Sequence, residues 1–229
     1  MTLRVSLPCN DVIVRDLGHV DYLESWRAMQ SFNQHRDPST TDELWLLTHP
    51  AVYTVGLKGK GRTLVSAHGI PFVHSDRGGD VTYHGPGQII AYILMDLRRR
   101  SWGVKQLVHA LEQSVIDLLA QHDIAGVRRP GAPGVYVDGR KISALGLRVS
   151  RGLSSHGLAL NIDMDLEPFS AIDPCGYPGL EVTQLSTLGI DMRVEHAAES
   201  LTEHLRQNLA YRTSRRIERL VRAKEQTAS

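Results

Sequence analysis

Four short segments concentrate the groups on which a reaction would depend. The densest is Arg77-Gly78-Gly79-Asp80-Val81-Thr82-Tyr83-His84-Gly85-Pro86-Gly87-Gln88. Its glycines let the backbone approach a ligand closely and aim N–H groups at it. The spacing is that of neither a Walker A loop nor a dinucleotide-binding G-x-G-x-x-G turn, and an irregular glycine-rich turn accounts for it as well. In the second segment, Gly139-Arg140-Lys141-Ile142-Ser143-Ala144-Leu145-Gly146, small and apolar residues follow a lysine. A lysine pressed on such a surface loses hydration, which favours its neutral, proton-accepting form. The plainer alternative is a solvated hairpin lysine.

The third segment, Ser154-Ser155-His156-Gly157-Leu158-Ala159-Leu160-Asn161, is a small, apolar strip beside a histidine that is either a base or a structural residue. The fourth, Asp173-Pro174-Cys175-Gly176, displays a thiol on a turn: Pro174 fixes its own φ, biases Asp173 toward an extended backbone, and Gly176 leaves room beside the sulfur. A thiolate is a strong nucleophile toward acyl groups. A buried, inert thiol is the alternative on local grounds. The other cysteine, Cys9, follows a strand-like run. Eleven histidines occur, yet no C-x-x-C or H-E-x-x-H spacing marks a metal site.

Short apolar runs must position these segments. Val12–Val14, Leu44–Leu47, Val52–Val55, Phe72–Val73 and Ile89–Met95 read as strands, and Ile89–Met95, apolar nearly throughout, reads as central and covered on both faces. Residues 20–34 and 104–119 follow a helical period. Asp138-Gly139 between two strand patterns predicts a tight hairpin with positive φ at both residues, which sets Lys141 at the start of the returning strand. Residues 196–224 read as a basic C-terminal helix carrying Arg206, Arg215 and Arg216. Strands and helices mix without regular βαβ alternation, which predicts an α+β fold rather than a doubly wound sheet.

With 229 residues the chain is long enough for one domain with a substantial core, and 41% hydrophobic with 22% charged residues is a globular composition. A net charge of +1 gives no field directed at nucleic acid. No signal peptide or membrane span is apparent, so a reducing, cytoplasmic setting is expected.

In this order R-G-G-D-V-T-Y-H-G-P-G-Q (77–88), G-V-Y-V-x-G-R-K-I-x-A-L-G (134–146), H-G-L-A-L-N (156–161) and P-C-G (174–176) resemble the lipoyl(octanoyl) transferase family, over about residues 44–185. The resemblance implies one α+β catalytic domain over residues 1–229, a mixed β-sheet flanked by helices, similar to the catalytic domain of biotin and lipoate protein ligases. It implies a catalytic pair of Cys175 and Lys141. It places acyl binding at Arg77, Gly78, Gly79, Asp80, Val81, Thr82, Tyr83 and His84, at Ala144, Leu145 and Gly146, and at Gly157, Leu158 and Ala159. The implied reaction is the first step of endogenous protein lipoylation. An octanoyl group passes from octanoyl-acyl carrier protein, through a thioester on Cys175, to a lysine of lipoyl domains, those of 2-oxoacid dehydrogenase E2 subunits and the glycine cleavage H protein. No cofactor, metal or nucleic acid is implied, and the enzyme is expected to be a monomer.

A thioester is already activated, so this transfer needs no ATP, and small apolar strips suit a medium-length chain worth about 0.8 kcal/mol per buried methylene. The backbone near residues 77–80 or 144–146 is a candidate source of oxyanion donors. Two rivals make distinct predictions: an ATP-dependent lipoate-protein ligase would incorporate free lipoate, and a non-catalytic acyl- or carrier-binding module would form no thioester. A cysteine protease lacks a sequence signature for a partnered Cys–His pair.

Overall fold

The computed structural model describes residues 10–59, 69–172 and 179–218. Among them, strands β1 (Asp11–His19), β2 (Asp42–Thr48), β6 (Gln88–Leu94), β7 (Val127–Arg128), β8 (Gly134–Val137), β9 (Arg140–Ser150), β10 (Leu153–Asn161) and β11 (Thr213–Glu218) form one sheet. Its order is β11-β1-β2-β6-β10-β9-β8-β7. Strands β3 (Val52–Val55), β4 (Phe72–His74) and β5 (Val81–His84) form a second, small sheet in the order β4-β3-β5. Helices α1 (Tyr22–His35), α2 (Val104–Ala120) and α3 (Val194–Asn208) flank the large sheet. It is a mixed sheet, as expected: β1 runs parallel to β2 and β11, and the remaining pairs are antiparallel. β1, α1 and β2 form a single βαβ unit, which the overall α+β pattern concealed.

β6 occupies the middle of the sheet because its alternate residues serve two cores. Ile89, Ala91 and Ile93 pack with Leu107, Leu111 and Val115 of α2 and Leu201 and Leu205 of α3. Ile90, Tyr92 and Leu94 pack with Met29 of α1 and with Trp45 and Leu47. Each of the Ile, Leu, Val and Met side chains among them contributes about 1.5–3 kcal/mol on burial. Helix α1 begins where the Asp21 carboxylate accepts from Leu23 N at 2.8 Å and Glu24 N at 3.2 Å, satisfying two otherwise orphaned donors. At the β8–β9 hairpin, Asp138 (φ 49°) and Gly139 (φ 80°) both adopt positive φ.

The expected helix over 196–224 is corrected. α3 ends at Asn208, Ala210 turns through φ 55°, and Thr213–Glu218 form a strand beside β1. Tyr211 causes the break: its hydroxyl donates to buried Asp42 at 2.9 Å, and the Arg100 guanidinium lies 4.1 Å from its ring centroid. Arg212 N then donates to Asn10 O, which starts the parallel pairing. Arg206 pairs with Glu203, and Arg216 with Asp16. Residues 219–224 lie outside the described residues. No described helix is long and apolar enough to cross a membrane.

Candidate active site

The floor of the site is built from two rungs across three strands. Ala144 of β9 pairs with Ala159 of β10, which pairs with Ile90 of β6; two residues along, Gly146, Gly157 and Tyr92 repeat the arrangement. Residues two apart share a face of the sheet, and small side chains on that face leave a trough. The glycine-rich segment and β5 roof it, so that a cavity is lined by Arg77, Gly79, Asp80, Val81, Thr82 and His84 above, and by Ala144, Leu145, Gly146, Gly157, Leu158 and Ala159 below. Gly78 and Tyr83 do not line it. Gly78 N donates to Leu147 O at 2.9 Å, and Tyr83 turns to the opposite face of β5, against Tyr53 and Phe169. Tyr22, Tyr92 and His156 complete the walls.

Main-chain bonds fasten the roof. Gly56, Leu57 and Lys58 N–H groups donate to the carbonyls of Asp80, Arg77 and Gly79, each at 3.0 Å. A Cβ on Gly56 would stand 2.4 Å from Gly79 O, so a glycine is required there for this approach. A Cβ on Gly157 would stand 2.0 Å from Ala91 O. Gly157→Ala is therefore expected to prise β10 from β6 at a cost of about 1–3 kcal/mol. Urea unfolding measures it; an unmoved midpoint would mean the two strands separate freely.

Beneath the roof runs a buried chain of hydrogen bonds whose direction is set at its far end, where the Thr183 carbonyl can only accept. Arg77, which can only donate, gives its Nε proton to Thr54 Oγ1 at 2.9 Å and Nη2 to Thr54 O. Thr54 Oγ1 then donates to His84 Nε2 at 3.3 Å, and His84 Nδ1 donates to Gln88 Oε1 at 2.8 Å. Gln88 Nε2 donates to Asn161 Oδ1 and Asn161 Nδ2 to Thr183 O, each at 2.9 Å. The sequence keeps His84 neutral by surrounding it. Burial, followed by the nearby His49, lowers its pKa to about 3. His49, whose Nε2 lies 2.7 Å from Tyr92 OH, is lowered by burial to about 4.

The chain ends beside Lys141. Its backbone N donates to Glu181 O and its carbonyl accepts from Thr183 N, both at 2.9 Å. The side chain is buried: Nζ donates to Pro133 O at 3.3 Å and lies 5.2 Å from the Tyr136 ring centroid. Lys141 lines a second cavity with Gln88, Ile142, Asn161, Phe169 and Val182, and two further residues, Thr82 and Ala144, line both cavities. Cys175 lies outside the described residues; Phe169 and Val182, before and after it in sequence, are both in this lining.

His156 stands elsewhere. It pairs with Leu147, six residues along β9 from Lys141, or about 20 Å at strand rise. Its Nε2 lies 2.9 Å from Asp76 Oδ1, and Asp76 also accepts from Trp26 and Arg148. Burial lowers its pKa, against the opposing pull of Asp76. The structure thus separates this histidine from the lysine. Sequence reasoning missed Thr54, His49, Tyr22 and Tyr92, which carry no local signal. Gln88 and Asn161 close two of the motifs, and nothing in their local sequence gives either a role.

The mixed sheet with its flanking helices is that of a lipoyl protein ligase-type catalytic domain. The family model described as the lipoyl protein ligase A/B catalytic domain matches residues 21–206, and the chain belongs to that family. Within it, the similar relatives are octanoyltransferases: that of Thiobacillus denitrificans is 58% identical over 198 residues, covering 86% of this chain and 91% of that protein. The octanoyltransferase of Chromobacterium violaceum is 51% identical over 198 residues, covering 86% and 96%. Among solved structures, lipoate-protein ligase A bound with ATP superposes with a TM-score of 0.76 at 13% identity, covering 92% of this chain and 90% of that one. That likeness establishes the shared fold.

Proposed function

We propose that this protein is an octanoyltransferase of protein lipoylation that works through Cys175 and Lys141. The observation that carries the reading is the apolar trough that leads, past Thr82 and Ala144, to a buried lysine whose cavity is lined from both sides of Cys175 in sequence. The trough holds the octanoyl chain. With Cys175 as thiolate and Lys141 as ammonium, the sulfur attacks the carbonyl carbon of the donor thioester. A new C–S bond forms, the bond to the carrier sulfur breaks, and the departing thiolate takes a proton from Lys141. In the second half, the acceptor amine attacks the Cys175 thioester. A C–N bond forms, Cys175 leaves as thiolate, and the now neutral Lys141 takes the amine's proton, which restores the starting state. The exchange of thioesters is nearly even in free energy, and amide formation drives the whole.

The donor is octanoyl-acyl carrier protein. The acceptors are the lipoyl domains of 2-oxoacid dehydrogenase E2 subunits and the glycine cleavage H protein. The enzyme acts as a monomeric, single-domain protein of the cytoplasm. The test is intact-mass analysis of the protein after mixing with octanoyl-carrier protein, followed by addition of a lipoyl domain. One octanoyl group should appear on Cys175 and then move to the acceptor lysine. Incorporation of free lipoate only with ATP would establish the ligase reaction instead.

For Lys141, the expected result is a change in thiol reactivity. Lys141→Ala removes the positive charge that favours the thiolate, so iodoacetamide should alkylate Cys175 about tenfold more slowly near neutral pH, with the rate-versus-pH curve displaced upward. An unchanged curve would remove Lys141 from the mechanism.

A further inference from the structure

The geometry points to the Thr82 hydroxyl as the side-chain donor that stabilises the oxyanion in both halves of the reaction. This inference rests on the transfer reading above and adds a residue role to it. An acyl chain in the trough and an attacking group beside Lys141 place the carbonyl where the two cavities meet. Thr82 and Ala144 are the residues common to both linings, and of the two only Thr82 has a side chain that donates.

The strand alternation of β5 aims it there. Tyr83 faces Phe169 and the small sheet's own core, whereas Thr82 shares the other face with His84. Among the described residues, no hydrogen bond engages the Thr82 hydroxyl, although the residue is buried at 8% exposure. Its polar neighbours are occupied. Gln88 and Asn161, in the same cavity, each pass an amide proton along the chain from Arg77 to Thr183. Lys141 handles the proton itself.

Two main-chain donors near the cavities are engaged as well. Gly78 N donates to Leu147 O, and Val81 N to Asp80 Oδ1 at 2.9 Å. Ala144 lies in a strand paired on both sides, with Gly134 and with Ala159. The hydroxyl opens onto the cavity rather than being sealed from it, so it carries no heavy desolvation cost in the resting protein. It is useful where charge develops during reaction, because the donor is already in place when the carbonyl π pair moves onto oxygen. As the tetrahedral species collapses, that pair returns to the carbonyl and the C–S bond breaks, so Thr82 donates a hydrogen bond throughout and never loses its proton.

The experiment is rapid-quench octanoylation of Cys175 by octanoyl-carrier protein, read by mass, in the wild type, Thr82→Val and Thr82→Ser. Valine keeps the shape and the strand preference while removing the hydroxyl, so the variant should unfold at the wild-type temperature. The octanoylation rate of Thr82→Val should fall by about 10²–10³-fold at saturating donor, with little change in KM. Serine, which restores the donor, should recover most of the rate. The inference is overturned if valine is within a few-fold of wild type, or if serine and valine are equally slow, since a packing role would produce the latter. A wild-type protein that takes up no octanoyl group would overturn the transfer reading and this inference together. An adduct formed at an unchanged rate by Thr82→Val would overturn the inference alone.

Discussion

Cys175→Ala is expected to take up no octanoyl group from octanoyl-carrier protein and to lose turnover by on the order of 10⁴-fold or more, as removal of a covalent nucleophile does elsewhere. The reason is chemical rather than structural. Without the thiol, the acceptor amine must attack the carrier thioester directly, with donor and acceptor proteins at one site together. The apolar trough should still bind the chain, because none of its lining side chains is altered. Donor binding should therefore persist while chemistry stops, and titration calorimetry with octanoyl-carrier protein separates the two. A variant that still forms the adduct would place the acyl group on another residue. One that turns over normally without an adduct would favour direct transfer. Cys9→Ala provides the control, and its activity should match the wild type.

How much of this was readable in the sequence follows from the range over which each feature is encoded. The β8–β9 hairpin was readable because its cause is local: Asp138 and Gly139 are adjacent, and both tolerate the positive φ they adopt. The central place of β6 was readable because its unbroken apolar run cannot face water on either side. The strand at Thr213–Glu218 was not, because its partner is β1, some 200 residues earlier, and its arginines suit a helix face as well as a sheet edge. The site divides the same way. Residues 77–84, 144–146 and 157–159 are grouped in sequence, and most of them meet at one cavity. Gln88, Asn161 and Thr54 also depend on partners tens of residues away, Gln88 and Asn161 on one another and Thr54 on Arg77. Tyr22 and Tyr92, which read as ordinary core residues, were indistinguishable from packing until the trough had an end.

A second large effect is expected far from the chemistry, at Asp42. This carboxylate, 1% exposed, accepts from Arg36 Nη2 at 2.7 Å, Arg99 Nη2, Tyr211 OH at 2.9 Å and the backbone N of Asp96 at 2.9 Å. It thereby joins the end of α1, the edge of β2, the turn after β6 and the chain between α3 and β11. The Arg36 side chain is only 2% exposed and that of Arg99 18%. Asp42→Ala leaves two guanidinium groups facing one another with little water, and Tyr211 loses its acceptor. Removing one partner of a buried pair costs about 3–5 kcal/mol, because the remaining charge stays buried without compensation. Asp42→Asn, which keeps the shape and one acceptor oxygen, should cost less. Urea unfolding followed by both circular dichroism and tryptophan fluorescence distinguishes the outcomes. A shift near the upper figure in both signals would show that the clamp stabilises the sheet as one unit, with β2 carrying the effect to β6 and the trough floor. Loss confined to the helical signal would restrict it to the junction of α3 and β11. A cost under about 1 kcal/mol would mean that water reaches the arginines as the carboxylate leaves, and that the pairing is worth no more than an exposed one.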